Sequence, residues 1–275
     1  MTLNSSRYFS NAIVGTPQVG ADINVLEVHA TPKFAVGFGF TRSDGARFRY
    51  GYANAGVAAG LVVAPTFASS GLATFDNVVV APSSAVAVAG EVIKPGLIGS
   101  RYIEITSASK TLNQFAGGYL IIEDGSGKGY TYRIKGNTAT GDPASGNFRI
   151  ELYDALKANL STDTDMTIVP NLWNDLVAAD TATNVMASGV SCSTTTTTYP
   201  FGWFQTKGVV GIYTYGTVNI GNSVCLAAAP ATSGSVEIWG GAHTTLANVL
   251  GRQAIGQCVA AGATLEYSSI NVYFE

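Results

Sequence analysis

Apolar residues at every second position admit one kind of backbone, and this chain shows the pattern over much of its length. In K-F-A-V-G-F-G-F (33–40), Phe34, Val36, Phe38 and Phe40 alternate with Ala35, Gly37 and Gly39. A helix would scatter these side chains around its surface, whereas a strand sets them along one face. The segment T-R-S-D-G-A interrupts, and R-F-R-Y-G-Y then resumes the alternation, with Phe48, Tyr50 and Tyr52 on one side and Arg47 and Arg49 on the other. The spacing predicts a β-hairpin whose Asp44-Gly45 pair supplies the positive φ of the turn.

The same grammar recurs downstream. Residues 53–96 are rich in Ala, Val and Gly, with V-V-V-A-P, A-V-A-V-A-G and I-K-P-G as short strands in irregular β structure. R-Y-I-E-I-T, G-G-Y-L-I-I-E-D, Y-T-Y-R-I-K-G-N and N-F-R-I-E-L-Y follow at roughly ten-residue intervals, separated by turn residues, as in a small sandwich or barrel. From 201 come F-G-W-F-Q, V-V-G-I-Y-T-Y, S-V-C-L-A, S-V-E-I-W, A-I-G-Q-C-V and S-I-N-V-Y-F, six strands able to close a small barrel and so remove exposed edges. Short helices are expected only at 154–160, capped by Asp154, and at 171–176. The expected fold class is all-β, built of mainly antiparallel short strands in small sandwich or barrel modules with minimal helix. The expected division is an arm over 1–20, a β region over 21–95, a middle β domain over 96–190 and a C-terminal barrel or sandwich over 191–275.

Composition bears on partners. Charged residues are 12% of the chain, against roughly 25% in an average soluble domain, while hydrophobic residues are 47%. A surface so poor in charge favours association with other protein. The net charge of −3 and the scattering of the 15 Lys and Arg leave out the basic footprint of a nucleic-acid binder, so no nucleic acid is expected as a partner. The opening M-T-L-N-S-S-R-Y-F-S-N has no basic stretch followed by an apolar one, and no run approaches the ~18 apolar residues of a membrane span, so neither export nor membrane insertion is expected. Cys192, Cys225 and Cys258 are an odd number without a C-x-x-C pair and read as free thiols; their equal spacing reads as coincidence, because only the surroundings of 225 and 258 look alike.

Chemistry-bearing patterns are thin. G-S-G-K-G (125–129) has the lysine of a phosphate loop, but Ile122 stands where the first glycine belongs, Gly129 follows the lysine, and Y-T-Y-R-I continues as a strand. A hairpin turn is the expectation. His29 and His243 have no partner at ligand spacing, so no metal or cofactor is expected. No G-x-S-x-G elbow is present, and Glu123, Asp124, Asp163 and Asp165 read as turn acids; the last two lack the later ligands of a calcium loop. The aromatic run from Trp203 to Tyr215 would suit a sugar-stacking platform, but Phe201, Trp203, Tyr213 and Tyr215 all fall at odd positions, the spacing of a core face. The preceding C-S-T-T-T-T-T-Y-P reads as an extended connector ended by Pro200.

Three stretches together resemble virion structural proteins of tailed bacteriophages, the capsid decoration, cement or head protein group. They are F-T-R-S-D-G-A-R-F-R-Y-G-Y-A-N-A-G-V-A-A-G-L (40–61), G-G-Y-L-I-I-E-D-G-S-G-K-G-Y-T-Y-R-I-K-G-N (117–137) and F-G-W-F-Q-T-K-G (201–208). The last is similar to that group's F-G-W-V-Q-T-W-G box, with Lys207 where an aromatic is common. The resemblance implies a non-enzymatic protein of the virion, made in the bacterial cytoplasm, which binds the phage major capsid protein as a dimer or trimer. No catalytic residue carries over. Expected interface residues are Arg7, Tyr8 and Phe9 of the arm, Arg47 and Arg49 of the hairpin, and Lys207. A head or tail fibre with glycan binding and a β-rich polysaccharide-degrading enzyme are the alternative readings.

Overall fold

The computed structural model describes residues 23–66, 73–75, 93–106, 110–141, 146–179, 186–227, 232–239, 253–263 and 265–275. Its strands are β1 (Gly39–Thr41), β2 (Arg47–Tyr52), β3 (Val62–Pro65), β4 (Ala73–Phe75), β5 (Tyr102–Thr106), β6 (Tyr119–Asp124), β7 (Thr131–Asn137) and β8 (Asn147–Leu152), followed by β9 (Asp165–Val169), β10 (Leu176–Ala178), β11 (Gly189–Ser191), β12 (Phe201–Tyr213), β13 (Ser223–Leu226), β14 (Val236–Ile238), β15 (Ala254–Ala260) and β16 (Tyr267–Tyr273). The fold is all-β, and every strand pair in its two sheets is antiparallel.

The chain forms two compact units, Gly71–Asn171 and a second made of Met1–Ser70 with Leu172–Glu275. The composition along the chain predicts breaks near 95 and 190. The difference lies with β3, whose partners are β10 and β11. No local signal reports a pairing more than a hundred residues away.

In the unit over 71–171 the strands run β4-β9-β6-β7-β8-β5. Alternation is clean: Tyr132 and Ile134 of β7 and Phe148, Ile150 and Leu152 of β8 turn inward onto Ile103, Leu120, Ile122, Met166 and Ile168. The turn between β6 and β7 is G-S-G-K-G, closed by Gly129 N–H donating to the Ile122 carbonyl and Tyr130 N–H to that of Gly127, so it is the hairpin turn expected.

In the other unit a ten-stranded sheet follows the path β10-β3-β11-β12-β16-β15-β13-β14, with the β1-β2 hairpin attached to β12. The five strands from β12 onward curl until Val236 of β14 meets Thr214 in an isolated parallel bridge. The curl encloses Ile212, Val224, Val236, Ile255, Ile270 and Val272. Six separate strands were expected from 201; two of them are one strand, the 13-residue β12.

Two further expectations are corrected. Residues 154–160 and 171–176 contain no helix. Leu156 and Leu160 give their N–H groups to the distant carbonyls of Ser100 and Gly96, and Asp175 sits at φ 59°, outside the helical region. The first hairpin arm is a strand only over Gly39–Thr41. Gly37, at φ 89°, turns the chain instead of extending it, and Phe38 N–H closes that turn on the Ala35 carbonyl. The second arm forms as read, with Phe48 and Tyr50 buried and Arg47 exposed.

Candidate functional site

β12 is the spine of the larger unit and has two unlike halves. Over Phe201–Thr206 both faces are covered: Trp203 faces Phe48 and Tyr50, while Phe204 faces Trp173 and Leu176. Trp203 is only 1% exposed, with the rings of Phe34, Phe40 and Tyr50 centred 5.0, 4.9 and 5.1 Å away. Its ring is therefore not open to stack on a sugar. A bulge then inserts one residue between Gln205 and Lys207 against β2. Side chains change face across such an insertion. The odd-numbered aromatics consequently do not share one face as the spacing suggested: Trp203 belongs to the Phe48–Tyr50 cluster and Tyr213 packs against the Phe204 cluster.

Beyond the bulge one face of β12 opens. Lys207, Val209, Gly211 and Tyr213 are paired with Tyr273, Asn271, Ser269 and Tyr267 of β16, and Asn271 in turn with Gln257 of β15. Directly paired residues project to the same side, so this set forms one surface. Val209 is 56% exposed, Tyr267 54% and Tyr273 45%. Tyrosine, serine, asparagine, glutamine and glycine with one aliphatic, Val209, make up a surface that is adaptable in its hydrogen bonds.

Lys207 stands at the head of this surface, with Arg47 as its partner on β2 and Tyr273 on β16. Both cations are exposed, and among the described residues neither meets a carboxylate. Arg49 is different. Its Nε and Nη2 donate to Oε1 and Oε2 of Glu275 at 2.9 and 3.2 Å, and its Nη1 donates to the Gly37 carbonyl at 3.0 Å. Arg49 thus ties the chain's last residue and the Gly37 turn to β2. Arg7, Tyr8 and Phe9 lie outside the described residues.

The chain matches no family model, no curated protein and no solved structure.

Other chemistry-bearing residues take structural positions. A hollow of about 240 Å³ in the unit over 71–171 is lined by Tyr102, Asn113, Asn137, Arg149 and Glu151 among others. Asn137 there accepts from Phe115 N–H and donates to the carbonyls of Thr111 and Thr138, which fastens the 111–115 segment. Glu104 and Arg149 are paired across β5 and β8, with Nη2 2.5 Å from Oε1 and the Glu104 side chain 1% exposed. Nothing in the alternation Y-I-E-I-T marks that glutamate as buried. Asp124 and Asp165 are register partners on β6 and β9. The Gly125 N–H and then Lys128 hold the Asp124 carboxyl below its ordinary range. Buried His29 has Nδ1 2.9 Å from the Tyr50 hydroxyl and Nε2 3.5 Å from Glu27. His243 lies outside the described residues, among which no three His, Cys, Asp or Glu side chains gather as a metal group.

The threonine run clasps the 53–60 loop. Thr195 gives its N–H to the Val57 carbonyl and accepts Val57 N–H on Oγ1, both at 2.8 Å, and Thr194 Oγ1 accepts from Ala59 N–H at 3.2 Å. Its hydroxyls satisfy loop backbone that has no strand partner.

All three cysteines are free among the described residues. Burial pushes the Cys192 thiol up to about 12 and raises Cys258 as well. At pH 8 a thiol near 12 carries about three orders of magnitude less thiolate than an ordinary cysteine. Native protein is therefore expected to react slowly with Ellman's reagent and unfolded protein quickly. A fast stoichiometric phase at Cys192, located by peptide mapping, would contradict this.

Proposed function

We propose that this protein is a non-enzymatic structural component of a tailed-bacteriophage virion, a capsid decoration or cement protein that binds the major capsid protein lattice. The observation that carries the reading is the open face of β12, β16 and β15, an uncharged Tyr/Val/Ser/Asn surface headed by Arg47 and Lys207. Such a face is suited to protein contact. The three stretches that resemble the phage group supply the identity of the partner. Two of them contribute to the elements around this face, since 40–61 contains β2 and 201–208 opens β12. Low overall charge fits a surface that spends its life against other protein.

Electron microscopy of purified particles, with peptide mass spectrometry of the same sample, tests the reading. Expected is density for this chain on the shell at regular lattice positions, with its peptides in the particle fraction. Recovery of the protein only from the lysate, with particles free of it, overturns the proposal.

A further inference from the structure

Arg47 and Lys207 are register partners on β2 and β12, and Tyr273 of β16 completes their row. Both cations are exposed and, among the described residues, meet no carboxylate. Like charges set directly opposite each other weaken a strand pair. By contrast, Arg149 meets Glu104, Lys135 meets Glu151 and Arg49 meets Glu275.

The bulge in β12 builds this juxtaposition. Gln205 stands opposite buried Phe48, and in an unbroken strand Lys207, two residues on, would share that buried side. The inserted residue turns Lys207 to the side of Arg47 instead. Gly208 follows at φ 96°, where a Cβ would also stand 3.2 Å from Ala46. The Gln205 amide, on a side chain 5% exposed, donates from Nε2 to the carbonyls of Lys207 and Val209 at 3.0 and 3.1 Å. The backbone is thereby pinned on each side of Gly208, and a buried polar group holds together two charges that repel.

We infer that Arg47 and Lys207 receive the carboxylates of an acidic segment of the partner protein, which continues over the uncharged row of Val209, Asn271 and Gln257. Carboxylates relieve the repulsion within the pair and gain charge-assisted hydrogen bonds, bidentate at the arginine fork and single at the lysine ammonium. The pair is a local excess of positive charge in a chain of net charge −3, so an acidic segment is steered to this place and away from the rest of the surface. A nucleic acid is a poorer occupant. Its phosphates repeat along the backbone, whereas the next row of the face holds no cation and Arg49 is already engaged by Glu275.

This partner chemistry rests on the reading of the face as a protein-contact surface, but not on the virion assignment. The probe is a fluorescein-labelled random copolymer of glutamate and tyrosine, titrated with the full chain and followed by fluorescence anisotropy. The dissociation constant is expected to rise about tenfold or more between about 50 and about 500 mM salt. At the lower salt Arg47→Glu and Lys207→Glu are each expected to raise it about tenfold, and Lys207→Arg to leave it within about twofold. Circular dichroism establishes that each variant is folded. Lys207→Gln is expected to leave Tm unchanged or slightly higher, because it removes a repulsion; a fall of more than about 3 °C would place a carboxylate of the chain itself on Lys207 and overturn the inference. Copolymer binding indifferent to both reversals overturns it too, as does a labelled DNA duplex bound more tightly than the copolymer through the same two residues. Copolymer binding that needs both cations, in a chain absent from purified particles, overturns the virion reading alone. Particles decorated equally well by the doubly reversed chain overturn the acidic partner alone.

Discussion

Replacing Trp203 with alanine is expected to destabilise the larger unit by about 3–5 kcal/mol, the usual cost of removing a large aromatic from a packed core. The indole is 1% exposed and meets Phe34, Phe40 and Tyr50 at centroid distances near 5 Å, two of them edge-on. Edge-to-face pairs add about 0.5–1.5 kcal/mol each beyond burial. The neighbours cannot collapse into the gap easily, because Tyr50 is held through its hydroxyl to His29 and its strand is locked in register with β12. Tryptophan fluorescence is a selective probe, since Trp173, Trp203 and Trp239 all lie in this unit. With a urea slope of about 2 kcal/mol per M, the midpoint followed by Trp173 and Trp239 falls by roughly 2 M. A shift of under about 0.5 M would mean that the ring is not packed as described.

The second large effect lies in the other unit. Arg149→Met leaves Glu104 buried without its guanidinium, and breaking a buried pair in this way costs about 3–5 kcal/mol. The Glu104 side chain is 1% exposed and that of Arg149 13%, so water does little to replace the lost partner. The double variant Glu104→Leu/Arg149→Met is expected to recover most of the loss, because two well-packed apolar side chains leave no charge to desolvate. Thermal unfolding followed by far-ultraviolet circular dichroism reads the difference as a drop of about 10–20 °C for the single variant in a unit of this size. If the single and double variants melt together, the pair does not act as a buried ion pair.

Local structure was legible wherever one face of a strand is buried and the other wet. β2, β6, β7 and β8 are close to where the alternation puts them, because each buries alternate residues on a single core. The hairpin turn at 125–129 was legible for the same local reason. The pattern misled where a strand is covered on both faces, as in the first half of β12, and where one inserted residue changes the face. At 33–38 the alternation was present but the strand was not, since Gly37 takes a conformation that turns the chain.

For the candidate site, Arg47 is legible as the polar face of the second hairpin strand, and Lys207 as the departure from the aromatic of the box that 201–208 resembles. Their juxtaposition is not, because Arg47 reaches Lys207 through a pairing across 160 residues, nor is the surface below them, which needs β16 to lie beside β12. Arg49, expected at the same interface, is bound to Glu275, a partner that lies 226 residues away and that no local pattern shows.

Alternation, turn residues and scarcity of charge act within a few residues of one another. By themselves they determined that the chain is all-β and where many of its strands lie, β2, β5 to β8 and β13 to β16 among them. Pairing between distant strands depends on hydrogen bonds that no local pattern encodes. Tertiary structure therefore decided the two units, the burial of Trp203 and Glu104, and the single face that Lys207 shares with Val209, Tyr267 and Tyr273.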